Sequence, residues 1–229
     1  DPHKTLKFVH VAGTNGKGST AAMLASCLQA AGYRVGLFTS PFINRFNERI
    51  QINGEQIPDE ALVQLSAMKP VNGRFESIRS PKGVTAIVDY AHTPDALENV
   101  LRSVRDFCKG RLISVFGCGG DRDKTKRPVM GGIAARLADF VIVTSDNPRT
   151  EEPQAIIDDI LVGMQDTDTP YVAIPDRVEA IHYAMDHAQS GDVIILAGKG
   201  HEDYQEINHV HYPMDERVIV AEHLKEMQK

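Results

Sequence analysis

The sequence predicts an α/β protein. Its C-terminal part reads as a doubly wound, mainly parallel sheet of Rossmann-like layout, preceded by a smaller strand–loop–helix unit. Three observations lead there. From residue 84 onward, short apolar runs alternate with helical stretches, the pattern of strands joined by crossover helices. Ahead of residue 69, a glycine-rich loop stands between an apolar run and an amphipathic stretch. The composition, 229 residues with 42% hydrophobic and 24% charged, is that of an ordinary globular chain of one large or two small domains. The expected organisation is a first segment at 1–68, a linker at 69–83 and a Rossmann-like domain at 84–229.

Residues 6–11 are the first apolar run and predict a strand. The helix expected over 20–31 puts Met23, Leu24, Cys27 and Leu28 on one face, and Gly32 ends it. A strand over 34–38 completes a strand–loop–helix–strand unit. Residues 39–57 predict an extended hairpin turning at Asn53-Gly54, and 58–68 a short helix. Lys69-Pro70-Val71-Asn72-Gly73 reads as the link to the C-terminal part. Strands are then expected at 84–89, 112–116, 140–144, 171–174 and 193–197. Helices are expected at 94–107, 128–137, 153–164 and 176–187. Thr93-Pro94 combines an N-cap with a first-turn proline, and Asp176 with Glu179 resembles a capping box. A hairpin over 205–213 and a helix over 215–227 close the chain.

Charge and cysteine content exclude several classes. With 25 Lys and Arg against 31 Asp and Glu, the net charge of −6 argues against a general nucleic-acid or anionic-membrane binder. Cys27, Cys108 and Cys118 are too few for a disulfide framework and lack zinc spacing, which suits a reducing compartment. No apolar run approaches the roughly 18–20 residues of a membrane span. The chain opens Asp1-Pro2-His3, so its first residue is not expected to be a translation start.

Two sets of residues suit chemistry. Gly13, Thr14, Asn15, Gly16, Lys17, Gly18 and Ser19 form a phosphate-loop candidate. Small residues let backbone N–H groups turn onto an anion, Lys17 reaches outer phosphates, and Ser19 offers the magnesium hydroxyl. The strict phosphate-loop pattern is not met, because Val11 occupies its first glycine position and Gly18 follows the lysine. The second set lies in the loops after the C-terminal strands: 89–93, 117–124, 145–149 and 198–202. In an open parallel sheet, ligands bind beyond the carboxyl ends of the strands. These loops carry both signs of charge and suit a zwitterion, with Arg for a carboxylate and Glu for an ammonium. Plainer roles stand beside these. Arg149 can cap a helix or pair with Glu151, and Glu202 can be a solvated loop acid. His92 and His201 can be structural hydrogen-bonders, and Cys118 a packing residue. His209 and His211 would share one face of a solvated hairpin strand.

The same residues carry a family resemblance. Gly13-Thr14-Asn15-Gly16-Lys17-Gly18-Ser19-Thr20 resembles the phosphate loop of the Mur ligase superfamily. Thr39-Ser40-Pro41, the run Arg45-Phe46-Asn47-Glu48-Arg49-Ile50, and Asn53-Gly54-Glu55 resemble its folylpolyglutamate synthase branch. From about Val71 the similarity shifts to the branch that adds meso-diaminopimelate to UDP-N-acetylmuramoyl-L-alanyl-D-glutamate. It is carried by Gly73-Arg74-Phe75-Glu76, Asp89-Tyr90-Ala91-His92-Thr93-Pro94-Asp95, Gly119-Gly120-Asp121-Arg122-Asp123, Asp146-Asn147-Pro148-Arg149 and Gly198-Lys199-Gly200-His201-Glu202.

The resemblance implies a partial P-loop ATPase unit ahead of an amino-acid-binding domain. It implies an ATP-dependent amide ligase in which a carboxylate is phosphorylated to an acyl phosphate and an amine then attacks. Lys17 would be catalytic. Gly13 to Ser19, Arg74 and Asp89 would bind the nucleotide, and Ser19 the metal. Arg122, Asn147, Arg149, Gly198 and Glu202 would bind substrate. ATP and Mg2+ are the implied cofactors, and diaminopimelate and a UDP-sugar peptide the implied partners. No nucleic acid or membrane is expected, and the implied state is a cytoplasmic monomer. The family's ATPase domain continues well beyond its phosphate-loop portion, so a fusion of two branches or a chain lacking most of the central domain is expected, with loss of turnover one outcome. Two alternatives stand open: a folylpolyglutamate synthase-like glutamate ligase, favoured by 39–55 and opposed by 147–149, and a non-catalytic engineered fusion or binding module.

Overall fold

The computed structural model describes residues 5–12, 16–39, 45–61 and 73–226. The chain divides into two units, Asp1–Lys69 and Pro70–Lys229.

In the first unit, helix α1 (Lys17–Ala30) follows Gly16, whose φ of 74° is left-handed. The helix closes with Tyr33 N–H donating to Leu28 O at 3.0 Å, and Gly32 at φ 85° supplies the left-handed turn that this closure needs. Strands β1 (Gly36–Phe38), β2 (Ile50–Ile52) and β3 (Glu55–Gln56) make an antiparallel sheet in that order. Asn53 and Gly54, both at positive φ, turn β2 into β3 as the Asn-Gly signal predicts.

Three expectations fail here. Residues 6–11 are not a strand, and Leu6, Phe8 and Val9 are exposed. A strand needs a hydrogen-bonded neighbour, and among the described residues none pairs with this run. The strand expected at 34–38 is shorter and pairs antiparallel with β2, so no strand–loop–helix–strand crossover forms among the described residues. Finally, the apolar face of α1 is not covered: Met23 and Cys27 are exposed, and Ala25 is the helix's buried residue. The helix expected over 58–68 and the link at 69–72 lie largely outside the described residues.

The second unit is a six-stranded sheet. Its strands are β4 (Glu76–Arg79), β5 (Thr85–Asp89), β6 (Leu112–Phe116), β7 (Phe140–Val143), β8 (Tyr171–Ala173) and β9 (Val193–Ala197), in the order β4-β5-β9-β6-β7-β8. All pairs are parallel except β4–β5. The central strands are uninterrupted apolar runs because both faces are covered. Ile87, Leu112, Phe116, Val141, Val143, Val193 and Ile195 point to α2 (Pro94–Arg105), α3 (Lys126–Leu137) and α4 (Pro153–Val162). Ala86, Val88, Ile113, Val115, Ile142, Ile194 and Leu196 point the other way, to α5 (Arg177–His187) and α6 (Glu216–Glu226). Thr93 Oγ1 accepts from Ala96 N–H and Asp176 Oδ1 from Glu179 N–H, so both predicted caps form. Strand β4 falls within the expected linker, yet it hydrogen-bonds along β5 as an edge strand, with Ile78 its one apolar residue. The hairpin of β10 (Tyr204–Ile207) and β11 (Val210–Pro213) forms as expected, but His209 lies in its turn at φ 63°, so His209 and His211 do not share a strand face.

Candidate functional site

Parallel register puts the strand ends level. Asp89 pairs with Ala197, Phe116 with Ala197, and Phe116 with Val143, so four loops leave the sheet along one edge. This is where a reversal of strand order opens a crevice: the chain leaves β8, crosses by α5 and inserts β9 between β5 and β6.

Backbone contact then locks the loops together. Gly120 N–H donates to Asn147 O at 2.9 Å, and a Cβ on Gly120 would lie 1.9 Å from Pro148 O, so only glycine lets the 117–120 and 144–148 loops lie this close. Two buried arginines stand behind them. Arg127 Nη2 and Nη1 reach Glu151 and Asp159, each at 2.8 Å. Glu151 also pairs with Lys124 at 2.9 Å and accepts Asp121 N–H at 2.7 Å. The Arg127 guanidinium holds its carboxyl well below the ordinary range, at about 2, with Lys124 and the Asp121 amide adding to the effect. Arg177 donates to Glu216 Oε1 and Ala197 O at 2.8 Å and to Ser145 O at 3.1 Å, so one buried cation ties the ends of β7 and β9 to α6.

The candidate side chains form a connected set. Arg149 sits at φ 53°, a conformation costly for a non-glycine residue that persists only where the surrounding structure over-determines it. Its Nε donates to Glu206 Oε2 at 3.0 Å and its Nη1 to Gly120 O at 2.8 Å. Its backbone pairs with the β10 hairpin: Arg149 N–H donates to Glu206 O and Asn208 N–H to Arg149 O. Glu206 N–H in turn donates to Asn147 Oδ1 at 2.9 Å, and Asn147 Nδ2 donates to Glu202 Oε2 at 3.0 Å. Tyr90 Oη reaches Glu202 Oε1 at 3.4 Å. Burial and the Glu202 charge push the Tyr90 phenol up, so it stays a donor. The Glu202 charge, with burial, also raises Tyr204. Gly198, at φ 123°, carries the chain past the Asp146 carboxylate, with a Cβ position 3.7 Å from that group.

Of the sequence candidates, Asn147, Arg149, Gly198 and Glu202 share this edge. Arg122 joins them: a Cβ on Gly119 would lie 3.0 Å from Arg149 Nη1 and 3.6 Å from Arg122 Cγ, so both arginines lie over that glycine. Arg122 is exposed and forms no ion pair among the described residues. Arg74 stacks over the Tyr90 ring at 5.0 Å, and Asp89 Oδ2 accepts Phe75 N–H at 2.9 Å, so these two connect to Glu202 through Tyr90. Gly16, Lys17, Gly18 and Ser19 open α1 in the first unit. Gly13, Thr14 and Asn15 lie outside the described residues. Arg149 pairs with Glu206, not with Glu151. His92 bonds Tyr90 O through Nδ1, and the His92 and His201 rings pack on Tyr90, which makes them supports. Cys118 is buried, and burial pushes its thiol up to about 12. Sequence reasoning singles out neither Glu206 nor Lys199. A cation between two glycines after an apolar strand is the available signal for Lys199; nothing local marks Glu206.

At one end the edge offers the guanidiniums of Arg122 and Arg149. At the other it offers the Glu202 and Asp146 carboxylates around one lysine. Opposite charges fixed on rigid strand ends can hold a zwitterion. Among the described residues, no group of three or more His, Cys, Asp or Glu could hold a metal ion.

Comparison with known proteins gives this arrangement a lineage. The family model for the Mur ligase, glutamate ligase domain matches residues 73–200. The UDP-N-acetylmuramoyl-L-alanyl-D-glutamate–2,6-diaminopimelate ligase of Bacteroides thetaiotaomicron is 54% identical over 167 residues, 72% of this chain and 35% of that protein. The protein of the same name from Clostridioides difficile is 53% identical over 157 residues, 69% of this chain and 32% of that one. A solved structure of a UDP-N-acetylmuramoyl-L-alanyl-D-glutamate–2,6-diaminopimelate ligase superposes with a TM-score of 0.66 at 39% identity, covering 84% of this chain and 41% of that one. The chain thus spans about a third of the length of the curated relatives it matches. With the whole six-stranded sheet, helices α2 to α5, and Arg122, Asn147, Arg149 and Gly198 inside the matched stretch, the chain belongs to the Mur ligase family.

Proposed function

We propose that the second unit holds the amino acid added by an ATP-dependent Mur-type amide ligase, that this amino acid is meso-diaminopimelate, and that the first unit carries the phosphate loop. The observation that supports this most is the continuous Arg149–Glu206–Asn147–Glu202 chain of contacts. meso-Diaminopimelate is zwitterionic at both ends. One amine must be free to attack, so the far end is the one to grip. Arg149 and Arg122 take the far carboxylate and Glu202 the far ammonium, by charge-assisted bonds. Because Arg149 has Nε and Nη1 committed, its guanidinium is oriented before ligand arrives, which lowers the ordering cost of binding. Lysine lacks the far carboxylate and glutamate the far ammonium, so both are poorer fits.

The residues at the start of α1 fit a phosphate. Among the described residues, the helix N-terminus has no side-chain cap and a Cβ built at Gly16 or Gly18 meets nothing within 4 Å, and a helix N-terminus presents backbone N–H groups that suit an anion. In the first unit, Gly13 to Ser19 with Lys17 would hold the phosphates of ATP; in the second, Arg74 would face a nucleotide's phosphates and Asp89 its ribose. When bound, ATP supplies the phosphoryl group that activates the acceptor carboxylate. Ser19 would offer magnesium its hydroxyl, but among the described residues no group of three or more His, Cys, Asp or Glu could hold a metal ion, so a magnesium site is not complete there. The acceptor in this reading is the UDP-sugar dipeptide. The protein acts as a cytoplasmic monomer, and neither nucleic acid nor membrane is a partner. Among the described residues no helix is long and apolar enough to cross a membrane.

The test has two arms. Equilibrium binding to meso-diaminopimelate, lysine and glutamate reads the second unit; the reading expects diaminopimelate to bind most tightly. Amino-acid-dependent ADP release with the dipeptide acceptor reads turnover. Equal affinity for the three amino acids would remove the assigned substrate, and absence of ADP release by folded chain would limit this chain to binding.

A further inference from the structure

The geometry points to Lys199 as the residue that positions this site: its buried ammonium sets which way the Asn147 amide faces and holds Glu202 against it, leaving an anionic pocket that takes the ligand's ammonium. The inference rests on the amino-acid-binding reading above and deepens it.

Lys199 is fully buried, which is rare for a lysine and sustainable only when each N–H finds an acceptor. Its Nζ donates to Asn147 Oδ1 at 2.6 Å and Glu202 Oε2 at 3.3 Å, and forms an ion pair with Asp146 Oδ1 at 3.4 Å. The face of Tyr204 lies 5.6 Å away. Asn147 Oδ1 therefore accepts from Lys199 and from Glu206 N–H, and its Nδ2 is left to donate to Glu202. A flipped amide would set an N–H donor against the ammonium and against a backbone donor at once. Lys199 thus acts on Glu202 both directly and through Asn147, without touching the ligand itself.

The charge balance points the same way. One ammonium faces two carboxylates, so the cluster carries a net −1. Asp146 Oδ1 is buried and takes no hydrogen bond. A buried pocket short of one cation is completed by an ammonium, and the α-ammonium of an amino acid is such a group. The groups around it are Tyr90 and His92 after β5, with Arg74 over the Tyr90 ring and Lys126 donating to His92 O, Cys118 after β6, Arg149 after β7 paired with Glu206, His201 after β9, and Tyr204 with His211 stacked on its ring at 4.0 Å. Among the described residues, Lys199 is the cation within 4.0 Å of the Asp146 and Glu202 carboxylates.

The test uses the full chain and separates this inference from the one it rests on. In ligand-free protein, the Asn147 side-chain amide protons should exchange slowly and give distinct nuclear magnetic resonances. Lys199→Met should abolish that protection while the β9 backbone amides stay protected. In the presence of meso-diaminopimelate, Lys199→Met should raise Kd by about tenfold or more at neutral pH. Affinity in the variant should also climb with pH from about 5 to 8, since two carboxylates without a cation share a proton. The quantity read is the ratio of the variant's Kd to wild type's at each pH. For Lys199→Met/Asp146→Asn that ratio should not change with pH. If Lys199→Met does not fold, Asp146→Asn in the wild-type background decides: removing one carboxylate should weaken diaminopimelate at least fivefold. An unchanged Asn147 amide in Lys199→Met, or an Asp146→Asn protein that binds as wild type does, overturns the inference. Wild-type chain that binds no diaminopimelate overturns the functional reading, and the ligand-free amide still decides the role of Lys199.

Discussion

Replacing Arg177 with methionine removes a cation on which both the fold and the site depend. Its guanidinium is buried and makes three bonds, to Glu216, Ser145 O and Ala197 O. Glu216 is equally buried, and its Oε2 already has no partner. The variant would leave that carboxylate alone in the interior, and breaking a buried pair from one side costs about 3–5 kcal/mol. A domain holds only about 5–15 kcal/mol in total, so a large share of stability goes. Arg177→Met/Glu216→Leu removes the stranded charge and leaves two strand-end carbonyls unpaired, at about 1–3 kcal/mol each, a cost the single variant carries as well. The cycle should therefore show a coupling of at least about 2 kcal/mol, read by urea denaturation with exchange protection of the β9 amides as the probe. Ser145 and Ala197 immediately precede Asp146 and Gly198, so the single variant should also weaken diaminopimelate. A single-variant loss under about 1 kcal/mol, or a double variant as unstable as the single, would refute the assignment of Arg177 as the tie between strand ends.

Other outcomes depend on the same packing. Glu151 titrates at about 2 in the fold against an ordinary 4.5, held down chiefly by Arg127, so it stabilises the fold above the ordinary value. That contribution should be lost as pH falls from 4.5 toward 2. Glu151→Gln should flatten the acid limb of a stability–pH curve, and an unaltered limb would contradict the pairing. Gly120→Ala forces a Cβ into Pro148 O and should cost about 1–3 kcal/mol together with ligand affinity; a variant as stable as wild type would mean the loops are not locked. Cys27 is exposed, whereas Cys118 is buried with its thiol pushed up to about 12. A thiol reagent at mildly alkaline pH should label Cys27 first and Cys118 only on unfolding, and equal rates would contradict that burial.

Much of the second unit is legible in the sequence because its strands are buried on both faces and read as unbroken apolar runs. Leu112–Phe116 and Val193–Ala197 form where the pattern puts them. Strand β4 is not legible: Glu76-Ser77-Ile78-Arg79 has one apolar residue, as befits an edge that buries little. The first unit misleads for the opposite reason. Residues 6–11 look like a parallel strand, but apolar character makes a strand only when neighbours supply hydrogen bonds. The loops of the site can be placed from the sequence, since they come directly after the strands. Their wiring cannot. Glu206 reaches Arg149 only because the β10 hairpin docks against it, and a contact between residues so far apart in the chain leaves no local trace.

A cycle of two variants and two ligands tests the grip on a zwitterion most directly. Arg149→Ala should weaken meso-diaminopimelate by about tenfold to a hundredfold and leave lysine unchanged, since lysine has no far carboxylate to lose. Glu202→Gln should weaken both, since both carry the far ammonium. If Arg149→Ala affects the two amino acids alike, or neither, the strand-end charges do not grip a zwitterion and the assignment of the site is wrong.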